Sequence, residues 1–62
     1  MSNRYRIYFF LRGVWYTISR MECTMWIKRK LRLGDSMQVD TSLNTIIFDN
    51  EMTEGLLMRE DN

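Results

Sequence analysis

The sequence predicts a mainly β fold, all-β in its simplest form: a small antiparallel barrel or curved sheet of five to six short strands. Three observations predict it. From Tyr5 to Leu33, apolar and polar side chains alternate with period two, the repeat of a strand that buries one face. Reversal signals recur at short intervals, at Arg12-Gly13, at Leu33-Gly34-Asp35-Ser36 and at Thr41-Ser42-Leu43-Asn44. No long segment carries an apolar stripe at the 3.6-residue spacing of a helix.

The first element is a hairpin over RYRIYFFLRGVWYTIS. With Arg12-Gly13 as a two-residue turn, the rungs pair Leu11 with Val14, Phe10 with Trp15, Phe9 with Tyr16, Tyr8 with Thr17, Ile7 with Ile18 and Arg6 with Ser19. One face then carries Tyr5, Ile7, Phe9, Leu11, Val14, Tyr16 and Ile18 without a charge, and such a face is core. The other carries Arg4, Arg6, Tyr8, Phe10, Trp15, Thr17 and Ser19, arginines at one end and aromatics near the turn. That mixed face is either capped by the C-terminal segment or left as a contact surface.

RMECTMWIKRKLRLGD supports two readings. Ser19 with Glu22 matches a capping box, and Gly34 after a basic turn matches a helix stop. On a helical wheel, however, Met21, Cys23, Met25, Trp26, Ile27, Leu31 and Leu33 scatter round the circumference. Read with period two, Met21, Cys23, Met25, Ile27, Leu31 and Leu33 point one way, with Arg29 the exception. Glu22, Thr24, Trp26, Lys28, Lys30 and Arg32 point the other. The expectation is therefore one long bent strand, or two strands meeting near Lys28 to Lys30, with a turn or bulge near Arg20. The stretch LRLGDSMQV resembles the strand-turn-strand corners of SH3-like and OB-like small barrels, over nine residues and without implying a family.

Met37 and Val39 continue as a strand, and Thr45-Ile46-Ile47-Phe48 as another, apolar enough to lie centrally or be covered on both faces. The tail admits a short helix capped by Asn50 and carrying Met52, Leu56 and Leu57, or an edge strand over Leu56 to Met58, with residues 59–62 a frayed end. Residues 1–62 are expected to form a single domain.

Composition narrows function mainly by exclusion. With no histidine and one cysteine among 62 residues, neither a Ser-His-Asp nor a Cys-His pair can be built, and an enzyme is not expected. Glycine-rich phosphate motifs are missing, and Asp49, Glu51 and Glu54 lack EF-hand spacing, so no cofactor and no metal is expected. Cys23 reads as a small buried hydrophobe, and one unpaired thiol points to a reducing, cytoplasmic setting. The longest apolar run near the start, IYFFL, is too short for a signal-peptide core, and no run approaches a membrane span, so no membrane partner is expected.

Charge is lopsided. Residues 1–34 hold eight cations against Glu22 alone, a net of +7, while residues 35–62 hold Arg59 against seven acids, a net of −6; together they give the chain's +1. The two halves either interleave and neutralise one another, or survive as basic and acidic faces suited to an oriented partner or to self-association. The basic half mixes cations with aromatics, and from it come the candidate partner-binding residues Trp15, Trp26, Lys28, Lys30, Arg32, Arg4, Arg6 and Phe10. The function expected is a non-enzymatic protein-binding module, such as a small viral or accessory inhibitor or adaptor docking on a larger protein, with formation of a homo-oligomer open. The alternative is a small-barrel protein binding single-stranded nucleic acid, with Trp26, Lys28, Lys30 and Arg32 as its stripe.

Overall fold

The structure is a computed structural model that describes residues 3–61. Six elements follow in order: β1 (Arg4–Phe9), β2 (Val14–Ser19), α1 (Arg20–Arg32), β3 (Met37–Asp40), β4 (Thr45–Asn50) and β5 (Thr53–Glu60). The five strands form one antiparallel sheet in the order β2-β1-β5-β4-β3. The fold is mainly β, as the alternation predicts. The sheet is curved and does not close into a barrel; β2 and β3 are its edges.

The hairpin forms with its faces as expected and its register displaced by two residues. Its loop is Phe10 to Gly13, closed by the Phe9 carbonyl accepting from the N–H groups of Arg12 at 3.1 Å and Gly13 at 2.9 Å. The rungs run from Phe9 with Val14 to Arg4 with Ser19. A slip of two keeps every side chain on its face, so the alternation cannot distinguish the two registers; turn chemistry decides. Ile7, Phe9 and Ile18 are buried as core, with Tyr5 half-buried. Leu11 is 83% exposed at the loop tip, and Val14 and Tyr16 are exposed on the edge strand, against the expectation that they are core.

Residues 20–32 are a helix, and the strand expected there is not formed. The local caps prevail over the apparent alternation. Ser19 Oγ accepts from the Glu22 N–H at 3.2 Å, and the Glu22 carboxylate accepts from the Ser19 N–H at 3.0 Å. At the other end the Gly34 N–H reaches the Leu31 carbonyl and the Asp35 N–H reaches the Lys30 carbonyl, a Schellman closure. Gly34 sits at φ +87°, where a side chain would be strained. LRLGD is thus a helix end, not a barrel corner. The inward side is Cys23, Trp26, Ile27 and Lys30, spaced i, i+3, i+4, i+7. Because one member of that stripe is a lysine, hydrophobicity alone does not reveal it. Met21 and Met25, expected inward on a strand, are exposed, as is Met37 on edge strand β3.

The last three strands form a meander. In the β3–β4 turn the Asp40 carboxylate accepts from the Ser42 hydroxyl at 2.6 Å and its N–H at 3.1 Å, and Asn44 takes a left-handed φ of +50°. The tail is neither a helix nor an edge. β5 pairs with β1 on one side and β4 on the other, placing Leu56 and Met58 in the core with Ile7, Phe9, Ile18, Cys23 and Phe48. Arg59 and Glu60 are rungs of β5 and the Asp61 N–H bonds the Arg4 carbonyl, so the expected fraying does not extend to them; Asn62 lies outside the described residues.

Candidate functional site

The helix covers one face of the sheet, and the residues of the other face follow from the register. One row across it reads Trp15, Tyr8, Leu57, Ile47, Gln38; the next reads Thr17, Arg6, Arg59, Thr45, Asp40. Among the described residues no element packs over this open face. β5 joins the sheet beside β1 instead of capping it.

The aromatics near the hairpin loop cluster there. Trp15 lies 5.2 Å from Tyr8, and Tyr8 6.0 Å from Phe10, between ring centroids. The Phe10 ring rests on Gly55, where an added Cβ would come within 2.6 Å of it and 3.1 Å of the Phe48 carbonyl oxygen; glycine permits this approach. Arg6 and Arg59 are cross-strand neighbours, an arrangement that like charges ordinarily disfavour. Both guanidinium groups lie over the Trp15 ring, at 5.0 and 4.7 Å from its centroid, and cation–π attraction offsets part of the repulsion. Among the described residues neither meets a carboxylate.

A second charged centre joins the helix end to the β4–β5 turn, on the covered side. Lys30 Nζ donates to Asp35 at 2.8 Å, to the Thr53 hydroxyl at 3.1 Å and to the Glu54 carbonyl at 2.6 Å, using all three of its protons. The Thr53 hydroxyl in turn donates to Asp35, 2.8 Å from Oδ2. The ammonium beside it, then the Thr53 and Asn50 hydrogen bonds, hold the Asp35 carboxyl below the usual carboxylate range. Ser42 does the same for Asp40. Burial raises the Cys23 thiol, which stays neutral with its sulfur 3.7 Å from that of Met58.

The expected partner-binding residues therefore divide. Arg6, Phe10 and Trp15 come together on the open face, and Arg4 occupies the same face at the far end of β1. Trp26, Lys28, Lys30 and Arg32 do not form a stripe, because the helix turns them about 100° per residue. Trp26 packs edge-on against Phe9 at 5.2 Å, Lys30 is buried in its network, and Lys28 and Arg32 are exposed on the helix, across the sheet from Trp15. Sequence reading missed Arg59, Leu57 and Ile47 on the open face, and Asp35 and Thr53 in the buried centre. The alternation of Gly55, Leu57 and Arg59 against Leu56, Met58 and Glu60 carries the first signal. The proximity of Asp35 to a helix-stop glycine carries the second.

The charged halves separate in the sheet: β1, the hairpin loop and the helix carry the cations of the first half, β2 carries no charge, and seven of the eight acids lie from Asp35 onward. Among the described residues, ion pairs of Lys30 with Asp35 and of Arg12 with Glu54, the latter at 3.6 Å, bridge them. Among the described residues no group of three or more His, Cys, Asp or Glu side chains could hold a metal, and no helix is long and apolar enough to cross a membrane. Comparison with protein-family models, with curated proteins and with solved structures returns no match.

Proposed function

We propose that this chain is a non-enzymatic protein-binding module that docks its open sheet face on a larger protein, as a small inhibitor or adaptor does. The observation that carries the reading is Trp15 under two guanidinium groups that meet no carboxylate among the described residues, bordered by Tyr8, Phe10, Leu57 and Ile47. Tryptophan, tyrosine and arginine set in an apolar surround are the composition of an interface hot spot. The two arginines, already desolvated in part by the indole, suit an acidic side chain of the partner.

A single-stranded nucleic acid fits this surface less well. The arginine row ends at Asp40, so a polyanion crossing the sheet would meet a carboxylate two strands beyond Arg59, about 10 Å away. Lys28 and Arg32, which would extend a phosphate track, are on the other side of the sheet.

The test compares immobilised wild-type chain with Trp15→Ala and with Arg6→Ala/Arg59→Ala in nuclease-treated lysate. The result expected is one protein retained by the wild type and lost by both variants, with affinity for it falling at least about tenfold while thermal unfolding shifts little. Retention by Trp15→Ala would move the surface elsewhere. Micromolar, salt-dependent binding of labelled oligonucleotides, with no nuclease-resistant protein, would replace this reading with the nucleic-acid one.

A further inference from the structure

The sheet has two edges, and they differ in how they are protected. β3 has four residues and ends in Asp40, whose carboxylate is engaged in the turn that follows. β2 has six residues, Val14-Trp15-Tyr16-Thr17-Ile18-Ser19, with no charge, no proline and no bulge. Among the described residues no strand lies beyond it. Val14 and Tyr16 are 50% and 42% exposed on its covered side, and Thr17 is exposed on its open side. Soluble proteins guard such an edge with lysines, prolines, bulges or short strands, and here every one of those devices is missing.

We propose that β2 is a self-association edge, pairing antiparallel with β2 of a second copy about a two-fold axis. The occupant follows from charge. In an isologous antiparallel pair a strand meets itself reversed, so any charge near its centre faces its own copy. β2 carries none, and self-pairing costs it no repulsion, whereas it offers a charged peptide nothing complementary. A two-fold axis perpendicular to the sheet pairs residues of like parity, which centres the contact on Tyr16 or Thr17. Either register sets Tyr16 against Tyr16 or Ile18 on the covered side, and Trp15 against Thr17 or Ser19 on the open side. The result is a ten-stranded sheet with both helices on one face and the two Trp15 surfaces adjoining on the other. Pairing also supplies the stabilisation that a short chain with a single cysteine cannot obtain from a disulfide.

Sedimentation equilibrium of the full chain from micromolar to millimolar concentration tests this, with amide exchange on the same samples. The expected result is a reversible species of twice the 7.6 kDa chain mass, with the outward amides of Val14–Ser19 gaining protection as it forms. Thr17→Pro removes the outward N–H that would donate across the new seam in either register while leaving the β1–β2 hydrogen bonds in place, and it is expected to give a folded monomer by circular dichroism and sedimentation. A wild-type monomer throughout the range would overturn the proposal. So would a dimer that survives Thr17→Pro in a folded chain, or one abolished by Arg6→Ala/Arg59→Ala on the open face while β2 amides exchange freely.

Discussion

Lys30 and the Arg6–Arg59 pair are cations in contact with the same sheet, yet their surroundings are opposite. Lys30 is 3% exposed and spends its three protons on a carboxylate, a hydroxyl and a carbonyl, so nothing is left for a ligand. Arg6 and Arg59 rest on an indole, face each other as like charges and meet no carboxylate among the described residues. The first arrangement is saturated and fixes where the helix end sits on the β4–β5 turn. The second is incomplete in charge, and it is this difference that the proposed docking of an acidic partner group rests on. What separates the two cation sites is whether their hydrogen-bonding capacity is filled, not their position in a basic run.

The contrast can be broken from the Lys30 side first, where the largest effect is expected. Lys30→Ala strands the Asp35 carboxylate in the interior and should cost about 3 kcal/mol in chemical denaturation. Replacing both partners, Lys30→Met with Asp35→Leu, should recover most of that loss if the pair specifies geometry more than it adds stability. Acid sharpens the same point. The Asp35 carboxyl titrates lower in the folded chain than in the unfolded one, so its contribution is intact at neutral pH. It declines as pH falls below about 4, through the folded-state value. Thermal unfolding against pH should show that decline in the wild type and a shallower one, left by Asp40, in the double variant. The smallest effect belongs to the open face: Arg59→Ala should change stability by less than about 0.5 kcal/mol, since it removes a repulsion together with a cation–π contact. A large destabilisation there would show that the arginine pair is structural, like Lys30.

How far the sequence reveals these two centres depends on which period each uses. Side-chain parity makes the open face legible: Arg6, Tyr8, Phe10 and Trp15 alternate against Ile7, Phe9 and Ile18, and a register slip of two leaves that sorting intact. Its C-terminal contribution is hidden because Arg59 lies in a segment rich in charge that reads as a loose end. The helix is obscured by coincidence, since Met21, Cys23, Met25 and Ile27 alternate as a strand would while Met21 and Met25 face solvent. The Ser19–Glu22 capping box and the Gly34 stop both mark the true boundaries. They are outweighed in the apolar pattern because the inward stripe includes Lys30, and lysine is rarely buried unless a partner such as Asp35 lies within reach.

The seam between β1 and β5 joins residues 4–9 to residues 53–60, so the core closes through contacts between distant parts of the chain. Ile7 and Phe9 acquire their neighbours Met58 and Leu56 on completion of that seam. Loop-closure entropy must be met before those contacts stabilise anything, which makes folding slow for so short a chain and strongly all-or-none. Before β5 is in place, Trp26 and Cys23 of the helix can meet Phe9 and Ile18 of the hairpin, but Leu56 and Met58 are missing from that interior, and the partial structure is vulnerable to proteolysis until β5 slots in.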